Sequence, residues 1–422
     1  MKLKISNSST VFNLIQEGKY VLFSNLLERI TFFVVFIVLA RSLPKNIYGF
    51  ITAIFVFSNI LYSFFDFGLP FYFQREFAVS NNNLKKELGS ILRLKIYLFL
   101  LYVIFVLLYF KGEIFENTSL ILIISISIYI FGTNSLFNSI LLGKKLYKTS
   151  FFLMVFSRGM FLSAFLMSSF YDLNVNFIIY NFLIAALFHS ILLINQLDKN
   201  GFKIDLRIVD SDKIIKILKS SIPIGAGLIF VWSYDKVDVL IIQNIISFKA
   251  VASYAIAYSL YKTVQIIPGI LLVPAYNNFS RDYSTKSFIN WKELKSIIVS
   301  LTVIGPIVIT VLYFSADIII LIIYGHKYLS SALYLKGLIF AIPGLFLNNL
   351  TGVISNSIRK ENFPLIGTGI GAMVNISFNI IMVGGIGIWG AVYSTIITEY
   401  LVLFIQLVLL RKYYISFKYI RI

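Results

Sequence analysis

The sequence contains, at residues 296–315, the uninterrupted apolar segment SIIVSLTVIGPIVITVLYFS, which carries no charged side chain. A hydrocarbon core about 30 Å thick needs roughly 20 apolar residues of α-helix to cross it. Because segments of this kind recur along the chain, we predict about twelve membrane spans. They lie at about residues 21–40, 47–68, 91–110, 119–142, 151–171, 175–195, 221–244, 251–274, 296–315, 333–355, 365–383 and 388–410.

The composition of the 422 residues agrees with a membrane protein. Hydrophobic residues make up 58% of the chain and charged residues only 13%, whereas a soluble domain carries about 25% charged residues. Too few polar groups remain to cover a water-soluble globule, so the predicted fold class is all-α and polytopic. The absence of cysteine excludes disulfides and thiol catalysis. No small-residue cleavage site follows the first apolar segment, so we expect that span to remain attached.

The basic residues predict how the chain is oriented. Lys and Arg number 37 against 19 Asp and Glu, a net charge of +18. With the N-terminus inside, 28 of the 37 fall at the cytoplasmic ends or loops, six fall on the opposite side and three fall inside spans. This asymmetry predicts a multi-pass protein of the cytoplasmic (inner) membrane with both termini cytoplasmic. No basic face on a water-soluble segment is visible, which argues against a nucleic-acid partner.

The longest polar connection lies in the middle of the chain and divides the spans six and six. It predicts an N-lobe at 1–195, a cytoplasmic linker at 196–219 and a C-lobe at 220–422. The linker ends in SDKIIKILK (211–219), whose lysine spacing predicts an amphipathic helix on the anionic leaflet. Pro223, with glycines nearby, and Pro268 predict bends in spans 7 and 8.

Two weak internal repeats agree with this division. The segment after span 1, RSLPKNIYGF (41–50), is similar to SFKAVASYAI (247–256) after span 7. The end of span 4, NSILLGKK (138–145), is similar to VISNSIRK (353–360) at the end of span 10. We therefore predict two pseudo-symmetric six-helix lobes around a central cavity, where transporters often bind substrate near the midplane.

Charged residues inside spans are the strongest indication of function. Each costs about 2.5–3.5 kcal/mol at the centre of a membrane helix, so we expect it to face protein or water. The register of the first repeat places Arg29 at the depth of Asp235. The alternative is that these charges form salt bridges that fix helix packing. The substrate-binding candidates are Arg29, Lys262, Lys236, Glu28 and Asp66.

A second group of polar residues predicts an ion-coupling site. Asn375 and Asn379 are four residues apart in span 11, as are Thr395 and Glu399 in span 12. With a carboxylate from span 7, either Asp235 or Asp238, they offer oxygens for Na⁺ or for a proton relay. The alternative is polar contact between helices, worth about 0.6 kcal/mol each. We predict no catalytic residues, no bound metal and no cofactor, and coupling to H⁺ or Na⁺ is a hypothesis.

Residues 40–50, ARSLPKNIYGF, resemble the signature after the first span of Wzx-type polysaccharide flippases. These proteins belong to the multidrug/oligosaccharidyl-lipid/polysaccharide (MOP) superfamily. Weaker similarities follow in order along nearly the whole chain, although the signature here lacks the usual Gly before Pro44. They are Asp66 with Gly68, Tyr234 to Asp238 with Tyr254, Pro268 with Pro274, and GIWGA at 387–391.

The resemblance implies a function. Such flippases move undecaprenyl-diphosphate-linked oligosaccharide repeat units, of the O-antigen (lipopolysaccharide) or capsule type, to the outer leaflet by alternating access. Membrane lipid and other polysaccharide assembly proteins are the implied partners. Arg29 would bind the diphosphate through two parallel hydrogen bonds, and Lys262 would bind it as a point charge.

Two other functions remain open. A multidrug or small-solute exporter of the same architecture would favour a cavity of net negative charge. A membrane-embedded polymerase or glycosyltransferase needs a large outer loop or a cytosolic nucleotide-sugar domain. The longest connection has only about 24 residues (196–219), so we predict that the chain is not an enzyme. A structural scaffold would not require charges inside the spans.

Overall fold

The computed structural model describes residues 8–79, 84–170, 175–202, 211–286 and 288–419, and every regular element in these ranges is helical. Within these described residues, twelve helical stretches are long and apolar enough to cross a membrane, which confirms the predicted class and number of spans. The fifteen α-helices are α1 Ser8–Ser42, α2 Lys45–Asp66, α3 Leu69–Val79, α4 Leu84–Tyr109, α5 Ile114–Gly143, α6 Tyr147–Phe170, α7 Val175–Lys199, α8 Ser211–Ile245, α9 Phe248–Thr263, α10 Ile266–Lys286, α11 Trp291–Tyr324, α12 Ser330–Leu338, α13 Ile342–Ser357, α14 Asn362–Ile386 and α15 Ile388–Tyr419.

The chain forms two compact units whose boundaries differ from those expected of the lobes. Unit 1 comprises residues 1–43 and 57–229, and unit 2 comprises residues 44–56 and 230–422. The first half of α2 thus belongs to unit 2, and the later boundary falls inside α8. The central cavity stays a prediction.

The predicted amphipathic helix at 211–219 is not a separate surface helix. It forms the first turns of α8, which continues through Pro223 to Ile245 without interruption. Ile217 is buried in the core of unit 1, so the apolar side of this segment packs on protein. The remainder of the linker at 203–210, and the residues 171–174 that separate spans 5 and 6, lie outside the described residues.

Unit 1 contains a short helix, α3, that the sequence analysis did not predict. Its eleven residues are too few to cross a bilayer. Leu69, Phe73 and Phe77 recur every four residues and bury one face of α3 in a core that includes Leu136 of α5. Gly143 at the end of α5 permits close packing, since a Cβ there would lie 2.6 Å from the carbonyl oxygen of Gln74.

In unit 2, the eighth span is broken into α9 and α10, as the prolines of that span predict. Pro268 has no N–H, so the carbonyl of Val264 cannot accept the usual hydrogen bond from residue 268. It accepts one from the N–H of Ile267 instead, at 3.0 Å. The tenth span is also divided, at the 3₁₀ turn Ile339–Ala341.

The ends of α5 and α13 share one backbone geometry. Lys145 and Arg359 both adopt a left-handed conformation, with φ of 58° and 59°. The next N–H in each case bonds back across the helix end, Leu146 to the carbonyl of Leu141 and Lys360 to that of Ser355. This geometry supports an internal repeat but pairs Lys145 with Arg359, one residue away from the predicted register.

Candidate functional site

Unit 2 contains four ionisable side chains that lie together within the membrane spans. The Lys262 Nζ atom on α9 lies 2.7 Å from Asp235 Oδ1 on α8 and 3.7 Å from Glu399 Oε1 on α15. Lys236 Nζ lies 3.9 Å from Asp235 Oδ2. We call Asp235, Lys236, Lys262 and Glu399 the Lys262 cluster. It holds two cations and two carboxylates, and the side chain of Lys262 remains 16% exposed.

Tyrosine hydroxyls and an amide complete the hydrogen bonding of the carboxylates in the Lys262 cluster. Tyr258 donates to Asp235 Oδ1 at 2.9 Å, and Tyr261 donates to Glu399 Oε1 at 3.2 Å. Asn348 Nδ2 donates to Glu399 Oε2 at 2.8 Å. These satisfied bonds explain how two carboxylates are tolerated among apolar helices.

Three aromatic rings surround the ammonium group of Lys262. The ring centroids of Tyr234, Tyr258 and Tyr261 lie 5.8, 5.5 and 5.6 Å from its Nζ atom. Cations at this distance are attracted to the negative faces of the rings. Sequence reasoning did not single out Tyr258 or Tyr261 as site residues. The signal was the four-residue spacing from Tyr254 through Tyr258 to Lys262, which places all three on one face of α9.

A second polar group in unit 2 surrounds Asp238, which is only 2% exposed. Its Oδ2 atom accepts hydrogen bonds from Tyr254 at 2.5 Å and from Thr395 at 3.2 Å. Its Oδ1 atom accepts one from Asn379 at 3.0 Å, and Asn379 also donates to Asn375 Oδ1 at 3.1 Å. We call these five residues the Asp238 cluster.

The structure thus divides the six ion-coupling candidates. Asp238, Asn375, Asn379 and Thr395 lie together, whereas Asp235 and Glu399 belong to the Lys262 cluster. The Oδ1 atom of Asn379 is buried and has no hydrogen-bond partner among the described residues. Among those same residues, no group of three His, Cys, Asp or Glu side chains could hold a metal ion.

The two clusters are neighbours along α8 and α9. Asp235 and Asp238 are three residues apart on α8, and their partners Tyr258 and Tyr254 are four residues apart on α9. The two tyrosine rings have centroids 5.6 Å apart. A change in the charge of one cluster is therefore close enough to affect the other through these two adjacent rings.

In unit 1, Asp66 forms a buried ion pair that sequence reasoning missed. Lys95 Nζ lies 3.2 Å from Asp66 Oδ1, and Tyr62 donates to the same oxygen at 3.0 Å. The side chains of Lys95 and Asp66 are 3% and 9% exposed. Lys95 lies inside the predicted span 91–110, although the charge census counts it with the cytoplasmic ends. Since α4 begins seven residues before that span, at Leu84, Lys95 lies about three turns inside the helix.

Glu28 is paired with Arg158, which lies inside the predicted span 151–171 and which the charge census likewise counts with the cytoplasmic ends. Arg158 lies on α6, is 3% exposed, and places its Nη2 atom 2.8 Å from Glu28 Oε1. Its guanidinium also lies over the rings of Phe32 and Phe131, and its Nε and Nη1 atoms have no described hydrogen-bond partner. The signal was its position eleven residues into α6.

Arg29 is exposed and forms no ion pair with a described residue. It therefore differs from Lys262, which is held by two carboxylates. Arg29 lies three residues farther from the end of its helix than Asp235 does, about 4.5 Å along the axis. The predicted match in depth between Arg29 and Asp235 is thus offset by nearly one turn.

Comparison with known proteins connects this architecture to a family. A family model described as "polysaccharide biosynthesis protein" matches residues 14–276, well over half of the chain. The uncharacterized membrane protein MJ1068 of Methanocaldococcus jannaschii is 31% identical over 127 residues. That match spans 30% of this chain and only 25% of the length of that relative.

Solved structures of membrane transporters share the fold. The inward closed conformation of the lipid II flippase MurJ has a TM-score of 0.67 at 18% identity, and the match covers 94% of this chain and 87% of MurJ. An inward-facing MATE family multidrug resistance transporter of the MOP superfamily has a TM-score of 0.71 at 14% identity, covering 94% and 96% of the two chains. The chain therefore belongs to the polysaccharide biosynthesis protein family and has the fold of the flippases and transporters of the MOP superfamily.

Proposed function

We propose that the protein is a flippase for undecaprenyl-diphosphate-linked oligosaccharide repeat units of the O-antigen or capsule type. It would carry them to the outer leaflet of the cytoplasmic membrane by alternating access. The observation that carries this proposal is the partly exposed Lys262, which lies inside a membrane span among three tyrosine rings. The family to which the chain belongs supplies the context of polysaccharide biosynthesis.

A diphosphate is suited to the Lys262 cluster because it can replace the carboxylates that hold the lysine. Without substrate, Asp235 and Glu399 neutralise Lys262, so the cation is not left unpaired in the membrane. A phosphate oxygen competes for the same ammonium group, and Lys236 is a second, 30% exposed cation nearby. The tyrosines offer apolar ring faces and hydroxyls, which match the mixed surface of a sugar.

Arg29 is the cation that we propose for the diphosphate in unit 1. Its guanidinium is exposed and has no ion-pair partner among the described residues, so it is available to a ligand. Arginine binds phosphate through two parallel hydrogen bonds, which adds orientation to the charge. Glu28 and Asp66, the two acidic candidates of unit 1, are engaged by Arg158 and Lys95 and we now assign them to packing.

We further propose that the Asp238 cluster couples transport to H⁺ or Na⁺. One carboxylate and several neutral side-chain oxygens suit a hard cation of low charge or a proton. The buried, unpartnered Oδ1 atom of Asn379 fits the same proposal, since it is free to act as a ligand. Occupation of the cluster would alter the charge opposite Tyr254, whose ring lies beside Tyr258 of the Lys262 cluster.

The main competing function is export of cationic drugs, because a MATE multidrug transporter has the same fold. A site for cationic drugs requires excess negative charge, whereas the Lys262 cluster holds equal numbers of cations and carboxylates. When a phosphate displaces one carboxylate from Lys262, the cluster has a cation available for the substrate. The charges of the cluster therefore favour an anionic substrate. We propose transport without a catalytic step.

Deletion of the gene in its host, with analysis of surface polysaccharide and of lipid-linked intermediates, tests the proposal. We expect surface polysaccharide to disappear and undecaprenyl-diphosphate-linked repeat units to accumulate, with both reversed by the full-length protein. Normal surface polysaccharide combined with sensitivity to cationic drugs would instead establish a multidrug exporter. Loss of polysaccharide without accumulated intermediates would indicate an enzyme of the pathway.

A further inference from the structure

Unit 1 has a groove at the end where α5 and α6 meet. Its volume is about 380 Å³, and the neighbouring elements α3, α5 and α6 all contribute to its walls. The residues that line the groove include Phe71, Gln74, Arg75, Gly143, Lys145 and Tyr147. None of them belongs to the Lys262 or Asp238 clusters, so the groove is separate from the proposed transport site.

The amphipathic helix α3 forms one wall of the groove. Its inner face is buried in the core of unit 1, whereas Phe71 is 53% exposed and the side chain of Arg75 is 60% exposed. These two residues are four apart and therefore share the outer face. Since Gly143 lets the backbone of Gln74 approach closely, α3 is held against the end of α5.

The groove lies at one end of the membrane spans of α5 and α6. The membrane span of α5 ends at Gly143 and that of α6 begins at Tyr147, so only three residues connect them. At such a position the exposed ring of Phe71 can pack against lipid. The long side chain of Arg75, one turn along the same face, can extend to the headgroup region. The census of basic residues predicts that this end of unit 1 faces the cytoplasm.

The groove is electropositive because of three basic side chains and one helix N-terminus. Arg75 and Lys145 line it, and exposed Lys148 lies in the first turn of α6. The first N–H groups of α6, at Tyr147 and Lys148, lack intrahelical acceptors and add the positive end of the helix dipole. Glu76 lies 3.1 Å from Arg75, but this pair is largely exposed and contributes little against a ligand.

We propose that this groove binds the phosphodiester headgroup of an anionic membrane phospholipid. Arg75, Lys145 and the first turn of α6 contact the phosphate, and Phe71 lies against the start of an acyl chain. A membrane lipid is favoured over a soluble phosphate because the exposed ring of Phe71 has no role in binding a free anion. The proposal does not depend on the transported substrate.

The test uses the purified full-length protein in zwitterionic detergent and measures binding of phosphatidylglycerol and phosphatidylcholine by native mass spectrometry. We expect a preference for phosphatidylglycerol that falls roughly fivefold in each of Arg75→Gln and Lys145→Gln. Lys111→Gln is the matched control, since it removes the same charge at an exposed turn between α4 and α5. Its preference should equal that of the unmodified protein.

Two results would overturn the proposal. One is an equal preference for phosphatidylglycerol in the unmodified protein and in both groove variants. The other is binding of free glycerol phosphate as tight as that of the lipid, which would identify a simple anion site. The exposed positions of Arg75 and Lys145 allow both variants to fold, and the melting temperature of each preparation verifies this.

Discussion

The pair formed by Asp235 and Lys262 allows a substrate-binding cation to be distinguished from a structural one. Asp235→Asn removes the carboxylate that lies 2.7 Å from Lys262 and leaves Glu399 at 3.7 Å as its partner. Lys262→Met leaves Asp235 with Lys236 at 3.9 Å and with the hydroxyl of Tyr258. The double variant removes both charges, so the cluster retains one cation and one carboxylate.

The expected loss of stability follows from burial. Removing one partner of a fully buried pair costs about 3–5 kcal/mol. The Lys262 and Asp235 side chains are 16% and 29% exposed, and each keeps a second partner in the single variants. We therefore expect about 2 kcal/mol for each single variant, or roughly 4–8 °C in melting temperature for a unit of about 200 residues. In the double variant Glu399 has lost Lys262 and Lys236 has lost Asp235, so part of the cost remains. The double variant should nevertheless lose less than the sum of the two single losses, because the pair of Lys262 with Asp235 is removed only once.

The two readouts are the melting temperature of the purified protein and the export of surface polysaccharide in a deletion strain. If Lys262 binds the diphosphate, the double variant loses less stability than the two single variants together but still does not export. Full export by the double variant would refute the role of Lys262 in substrate binding and leave it a structural residue.

The control is the pair formed by Lys336 and Asp317, whose aspartate is 53% exposed. Lys336→Met should cost less than about 1 kcal/mol and leave export unchanged. Losses in the Asp235 and Lys262 single variants that simply add in the double variant would mean that the two charges do not interact.

Four further predictions concern other parts of the chain. Arg29→Ala should abolish export without changing the melting temperature, whereas Arg29→Lys should retain part of it; normal export in the alanine variant excludes a role in transport. Asp238→Asn should remove the dependence of transport on Na⁺ or pH, and an unchanged dependence would leave Asp238 a hydrogen-bond acceptor only. Lys95→Met should destabilise the protein by about 3–5 kcal/mol in thermal unfolding because it leaves Asp66 buried and unpaired; a change below 1 kcal/mol contradicts the pair. A single cysteine at Lys111, in a chain with no other cysteine, should react with an impermeant reagent in intact cells; labelling only after lysis would reverse the predicted orientation.

The location of each charge within a span was harder to predict than the number of spans. The charge census counts Lys95 and Arg158 with the cytoplasmic ends because both lie within about two turns of the start of a predicted span. Apolar residues near a helix end do not reveal where the helix begins. Their partners, Asp66 and Glu28, are 29 and 130 positions away along the chain. No local pattern connects residues at such distances, so neither ion pair could be read from spacing.

The predicted ion site contains one feature that the sequence predicts and one that it does not. The spacing of Asn375 with Asn379 places those two amides on one face of a helix, and in the structure Asn379 donates both to Asn375 and to the carboxylate of Asp238. Which of the two carboxylates of α8, Asp238 or Asp235, joins these amides depends on how α8 is rotated against its neighbours. That rotation results from packing along whole helices, which the periodicity of one helix does not specify.

The sequence by itself determined that this protein is an all-α membrane protein with twelve spans, and that ionised residues lie inside several of them. The physical reason is local. Each run of about 20 residues must by itself be apolar enough to lie in the hydrocarbon and must form its own backbone hydrogen bonds. Only the tertiary structure decided which charges meet, dividing the candidates between the Lys262 and Asp238 clusters and leaving Arg29 without a described partner. Those pairings depend on the rotation and depth of helices that are distant in sequence, and they are fixed by packing between helices.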